Sequence, residues 1–277
     1  MPGIEALSPA LDVTSAFITA IGGRRANEDA LGKLTTRYGT CYVISDGAGG
    51  HVGGAIASRL VIDTVLDEVQ RADSYSADVL DRGFALAQRR VAERQEQDSV
   101  LATMSATVAA VLIDAAGRHA VWAHLGDSRI FHFRRGALRT VTHDHSLVQR
   151  LVDAGYVPAD LAASHPNRNL LYAALGAEGD TPPSIEREPI VLGDGDAFLL
   201  CTDGFWGRIE IERIEQHLRF AGHVDEWVDS MRRDVAEDIP SGADNYSAIG
   251  IWIGSPAEVT VSKFVREIPK QGDSAER

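Results

Sequence analysis

An antiparallel, layered α+β fold is predicted, and three observations predict it. Short apolar runs recur at hairpin-like spacing between residues 105 and 142, divided by the turn signals AAG, GD and RRG. Two pairs of helical patterns flank those runs, at 55–70 with 77–96 and at 209–219 with 225–237. Helices and strands do not alternate one for one, which disfavours a parallel sheet of βαβ units.

Each element has its own signal. Residues 13–20 (VTSAFITA) read as the first strand and 41–45 (CYVIS) as the next. In 55–70, Ile56, Leu60, Val61, Thr64, Val65 and Glu68 recur at helical spacing. Leu80, Phe84, Ala87 and Val91 line one side of 77–96, with Ser76 placed to cap its start. Strands follow at 107–113, 120–125, 129–134 and 138–142, and late ones at 197–201 and 247–253. The span 146–169 mixes helical pieces with Gly155, Pro158 and Pro166 and reads as an irregular surface flap. Nothing resembling a linker divides residues 10–254, so one domain is expected there, followed by a loose polar tail over 255–277.

Composition narrows the function. Hydrophobic residues make up 44% of the 277, enough for a sizeable core. A formal charge of −13 argues against nucleic acid and against an anionic membrane surface. Metals and a few arginines can still bring phosphate to an acidic chain. No apolar run approaches the ~18 residues of a transmembrane helix. The start, MPGIEALSPALDV, lacks the basic and apolar regions of a signal peptide. Cys41 and Cys201 sit inside apolar runs and read as reduced core thiols, so a cytoplasmic protein is expected. A reactive-cysteine phosphatase would need its thiol at the mouth of an anion-binding loop.

Acidic residues at strand ends carry the chemistry. Asp46-Gly47 follows CYVIS, Asp203-Gly204 follows AFLLCT, and Asp244-Asn245 precedes YSAIGIWIG. Asp127 lies in GDSR, at another break between strands. Singly, these are a glycine-rich loop, a hairpin turn and an Asx turn. A dinucleotide loop fails at the first, because Val52 stands where the third glycine is needed. Together they push several carboxylates into one space, where like charges repel and a divalent cation relieves them. Oxygen ligands without clustered Cys or His favour Mg²⁺ or Mn²⁺ over Zn²⁺, and Gly47 can add its carbonyl. The cluster GGRRANED adds Arg24, whose planar fork suits phosphate, and Glu28 and Asp29 as outer partners of the ions. In VTHDHS, neighbours on a strand point to opposite faces, so His143, Asp144 and His145 cannot share one ion. His124 reads as a packed strand residue; His51 is open between helix cap, carbonyl partner and proton shuttle.

The segments GGRRANED, DGAGGH, MSATV, LGDSRIF, VTHDHS, NLLYAALG, LLCTDGFW and DNYSAI, in this order, resemble the metal-dependent serine/threonine protein phosphatases of the PP2C (PPM) family, in their bacterial branch. The resemblance implies a four-layer αββα sandwich of two antiparallel sheets flanked by helices. It implies two Mn²⁺ or Mg²⁺ ions: Asp46 bridging both, Gly47 giving its carbonyl to one, Asp203 and Asp244 holding the other. Asp127 resembles the residue that forms a weaker third site with Asp203. Arg24 resembles the phosphate-binding arginine, and Glu28 and Asp29 resemble partners of the ions' waters. Direct hydrolysis by a metal-activated water is implied, with no phosphoenzyme. The expected partners are phosphorylated proteins and a cognate serine/threonine kinase, and the expected state is a monomer. An idle phosphoprotein-binding module and a hydrolase of small phosphate esters are the alternatives. Three positions depart from the family's pattern. Ala48 stands where many members carry a histidine proposed as general acid, with His51 the candidate substitute. In MSAT, Thr107 is the one clear match. Phe205-Trp206 follows the second Asp-Gly where a small aliphatic residue is usual.

Overall fold

The computed structural model describes residues 10–49 and 52–255. His51 and the tail expected at the C-terminus, from residue 256 on, lie outside the described residues. Among the described residues two antiparallel sheets form. The first orders β1 (Val13–Ala20), β11 (Tyr246–Ile253), β10 (Asp196–Cys201), β7 (Arg129–Arg134) and β8 (Ala137–Val141) side by side. The second orders β2 (Asp29–Thr35), β3 (Gly39–Ala48), β5 (Val108–Asp114), β6 (His119–Leu125) and β9 (Ser184–Val191). A two-residue strand, β4 (Ser105–Ala106), pairs with the end of β3.

Strand periodicity explains the layers. In β3, Cys41 and Val43 join a core with α1 (Gly53–Arg71) and α2 (Ala77–Gln97), whereas Tyr42 and Ile44 join a core between the sheets. In β10, Ala197, Leu199 and Cys201 face α5 (Ile211–Phe220) and α6 (Val224–Val235), whereas Phe198 and Leu200 face the other sheet. The central strands are therefore apolar on both faces, which is why they read as unbroken apolar runs. Helix pair, sheet, sheet and helix pair form the expected αββα sandwich. Trp227 of α6 is fully buried, edge-on to Phe133 with centroids 6.0 Å apart, and its Nε1–H donates to the Ile214 carbonyl at 3.2 Å. Removing such a ring typically costs ~3–5 kcal/mol.

Besides the two-residue β4, two strands have no counterpart in the sequence expectations. β2 carries charge and a central glycine; a Cβ at Gly32 would stand 2.6 Å from Ile62 Cγ2, so α1 packs directly on its backbone. β9 (SIEREPIV) is an edge strand with charged residues and Pro189, and its pairing with β6 shifts register between Ala120 and Trp122. In the expected flap, α3 (Leu147–Asp153) is capped by Ser146, whose Oγ accepts from Gln149 N at 3.2 Å. A short 3-10 helix follows at Ala159–Ser164. Ser76 takes the N-cap position of α2 but makes no side-chain capping bond. No helix among the described residues is long and apolar enough to cross a membrane.

Candidate metal centre

The strand ends named above meet at one end of the sandwich. Asp46 lies near the end of β3, directly across the ladder from Asp29 on β2. Asp127 sits in the β6–β7 turn, Asp203 opens the short helix α4 (Asp203–Trp206) after β10, and Asp244 precedes β11. Asp46, Asp127, Asp203, Asp244, Gly47, Glu28 and Arg24 all line one cavity of about 380 Å³. Asn169, at the end of the flap, and Leu171, just beyond it, line it as well. Asp29 is not on its wall; it stands behind, where Thr202 Oγ1 donates to its Oδ2 at 3.0 Å.

Neither Asp-Gly pair is the turn that sequence suggests. β3 continues through Asp46-Gly47 to Ala48 and pairs Gly47 with Ala106. Asp203-Gly204 begins a helical turn. These glycines are needed because backbones touch. A Cβ at Gly47 would meet Gly54 O at 2.0 Å, and one at Gly204 would meet Asn245 O at 2.0 Å.

Polar residues to which the sequence reading assigns no role hold the carboxylates in place. Thr107 Oγ1 accepts from Asp46 N at 3.0 Å and bonds Ser128 Oγ at 2.7 Å, and Ser45 Oγ donates to the Thr107 carbonyl at 2.6 Å. Buried Asn245 accepts from Glu28 N at 2.8 Å and donates to the carbonyls of Ile21 and Ala26 at 2.8 and 2.9 Å, clamping the segment that carries Arg24. Arg24 donates to Asp244 Oδ2 at 2.8 Å. Single polar residues carry no periodic signal, so only their apolar setting could have exposed them: Ser45 and Thr107 interrupt otherwise apolar strand ends.

The electrostatics are those of crowded carboxylates. Burial pushes Asp29 up to about 7 and Asp203 up to about 6, with repulsion from Asp244 adding to both. Burial, then neighbouring carboxylates, raises Asp46 and Asp127 well above the ordinary range. Asp29, Asp46 and Asp203 keep partial accessibility, yet they lie deep in a recess where protein replaces bulk water, so burial leads. Asp29 Oδ1 and Asp203 Oδ1 are buried without hydrogen-bond partners. Among the described residues no Cys or His lines the cavity, so its donors are oxygens. Orphaned carboxylate oxygens beside an oxygen-only wall match a hard divalent cation. The side chains are not drawn into a finished ligand shell: among the described residues no group of three His, Cys, Asp or Glu is set to hold an ion.

The histidines stand apart. His124 and His145 are buried with ring centroids 4.8 Å apart, and burial pushes His124 down to about 4. His145 braces the β6–β7 turn, accepting from Gly126 N at 3.2 Å, and Asp144 pairs with Arg129 through two bonds of 2.8 Å. Cys41 and Cys201 are buried, and burial pushes the Cys41 thiol up to about 12.

Two antiparallel sheets between helix pairs, with an acidic oxygen-lined cavity at one end, define the class of metal-dependent phosphatases. The chain belongs to the protein phosphatase 2C family, whose model matches residues 20–239. It is 35% identical over 178 residues to the serine/threonine protein phosphatase PstP of Mycobacterium tuberculosis, covering 64% of this chain and 34% of PstP. It is 29% identical over 209 residues to the protein phosphatase PhpP of Streptococcus pneumoniae, covering 72% of this chain and 81% of PhpP. A solved catalytic domain of PstP in complex with two manganese ions superposes with a TM-score of 0.75 at 27% identity, covering 88% of this chain and all of that domain.

Proposed function

We propose that this chain hydrolyses phosphoserine and phosphothreonine in proteins, using divalent cations held at the carboxylate cavity. The observation that carries the reading is the convergence of Asp46, Asp127, Asp203 and Asp244, remote in sequence, on one cavity with Arg24 on its wall. Asp46, Asp203, Asp244 and the Gly47 carbonyl would hold two Mn²⁺ or Mg²⁺ ions, and Asp127 with Asp203 a third. When bound, such ions lower the pKa of water and offset charge on phosphoryl oxygens.

The chain's own residues do the rest. Arg24 faces the cavity from a segment fixed by Asn245 and offers its fork to the phosphoryl oxygens. Glu28 lines the cavity, where its carboxylate would accept hydrogen bonds from water on the ions. Asp29 stands behind Asp46 rather than on the wall, and its unpartnered Oδ1 would take part only if its side chain turned toward the ions' water. The buried cysteines supply no thiolate, which supports direct attack by water over a phosphocysteine. We extend the reading to a cytoplasmic monomer made of one domain over residues 10–254. A serine/threonine kinase supplies its phosphoproteins, since this hydrolysis consumes a kinase's product.

A phosphothreonine peptide tests the function. Hydrolysis is expected with Mn²⁺ or Mg²⁺, lost in EDTA and restored by Mn²⁺; activity undiminished in EDTA would remove the metal reading. For Arg24→Ala, KM for the peptide is expected to rise about tenfold with a smaller change in kcat. An unchanged KM would take Arg24 out of the phosphate site.

A further inference from the structure

Two features singled out in the sequence, the Phe205-Trp206 departure and the acidic residue of VTHDHS, meet in one assembly beside the cavity. Trp206 Nε1–H donates to the backbone carbonyl of Asp127 at 2.9 Å. The Arg129 guanidinium lies over the Trp206 ring, 3.4 Å from its centroid. That guanidinium is held on its other edge by both oxygens of buried Asp144, at 2.8 Å each. The stack thus runs Asp144, Arg129, Trp206, Asp127.

Its placement gives it a purpose. Trp206 and Asp203 belong to the same helical turn of α4, three residues apart. One indole hydrogen bond therefore ties the turn bearing Asp127 to the helix bearing Asp203. These two carboxylates repel each other, so the native spacing between them needs an outside constraint. Elsewhere, among the hydrogen bonds of the described residues, the Asp127 turn is fixed by Ser128 to Thr107, just before β5, and to the next segment by His145, but not to α4.

We propose that Trp206 is a positioning residue that sets the distance between Asp127 and Asp203, and with it the affinity for the cation these two carboxylates share. Arg129 and Asp144 keep the indole in the plane that reaches the Asp127 carbonyl. The inference rests on reading Asp127 and Asp203 as cation ligands, and the test separates the two.

Mn²⁺ is titrated calorimetrically into the metal-free protein and into Asp127→Asn, Trp206→Phe and Arg129→Lys. Trp206→Phe keeps an aromatic ring under Arg129 and deletes the N–H donor together with the five-membered ring that carries it. Losing a hydrogen bond to a buried carbonyl is expected to weaken the last Mn²⁺ bound about tenfold, while the tighter ions are unchanged. Asp127→Asn weakens the same step by at least as much. Arg129→Lys loses the flat, doubly bonded guanidinium and weakens it in the same direction. Melting curves in EDTA check that each variant is folded, and should Trp206→Phe fail to fold, Arg129→Lys decides. If Asp127→Asn weakens that step and both Trp206→Phe and Arg129→Lys titrate like the parent, the stack is packing and the proposal is wrong. If Asp127→Asn also titrates like the parent, Asp127 is no ligand, and both the site reading and the inference fall.

Discussion

Asp46→Asn is expected to abolish catalysis and to stabilise the metal-free protein. The two effects share one cause. Asp46 sits among Asp29, Asp203, Asp127 and Asp244, and burial together with these neighbours raises it well above an ordinary carboxylate. The amide is nearly isosteric and uncharged, so it removes repulsion without opening a cavity. It also removes the carboxylate proposed to bridge two cations, for a loss in kcat of about a thousandfold or more on a phosphothreonine peptide. The gain in stability depends on pH with a definite sign. A carboxyl whose folded pKa is raised binds its proton more tightly in the native state, so ionising it lowers stability as pH climbs past the unfolded value of 3.8. At pH 8 in EDTA the variant should therefore be more stable by on the order of 2 kcal/mol, or about 6 °C in Tm. The advantage should shrink as pH falls and the parent's Asp46 takes up its proton. His124 and His145, both lowered by burial, change stability over part of the same range, but equally in both proteins, so they cancel in the difference. Saturating Mn²⁺ should reverse the order, with the parent now melting higher. Calorimetry at pH 5 and 8, with and without Mn²⁺, reads all four comparisons; a variant less stable than the parent at pH 8 in EDTA would contradict a repelling cluster.

Much of this centre was legible because strands that are apolar on both faces leave their polar ends conspicuous. CYVIS, AFLLCT and YSAIGIWIG mark β3, β10 and β11, and the acids beside them all reach one cavity. Sequence offers Asp-Gly as a turn, whereas Gly47 and Gly204 lie where another backbone leaves no room for a Cβ, a relation between segments distant in the chain. β2 and β9 escaped for local reasons: a glycine packed under α1 in one, charges and a proline on an edge in the other. The Asn245 clamp and the Trp206 stack escaped for a longer-range one. Asn245 reaches 224 residues back to Ile21, and Trp206 reaches 79 back to Asp127, and neither distance leaves a mark on local pattern.

Gly204→Ala should be among the most damaging single methyl groups at this end of the fold. Gly204 has no need of left-handed backbone, being absent from the positive-φ glycines, so conformational strain contributes little. The obstacle is contact: the added Cβ would stand 2.0 Å from Asn245 O and 3.2 Å from Asp244 Cβ. Both neighbours lie immediately before β11, where backbone cannot swing aside as a flexible side chain would. Relief requires α4 to back away from β11, carrying Asp203 and Trp206 with it, or β11 to yield, loosening the Asn245 amide from Ile21, Ala26 and Glu28. Either movement separates Asp203 from Asp244 or frees the Arg24 segment. Overpacking of this severity costs about 3 kcal/mol or more. Activity on the phosphothreonine peptide is expected to fall about a hundredfold even where the protein remains folded, since catalytic geometry tolerates little displacement. Gly193→Ala provides the matched control, because nothing lies within 4 Å of its added Cβ and its φ is not positive. Parallel melting curves and turnover measurements should leave Gly193→Ala close to the parent. If Gly204→Ala matched it in both, α4 and β11 would not be in the contact that sets Asp203 against Asp244.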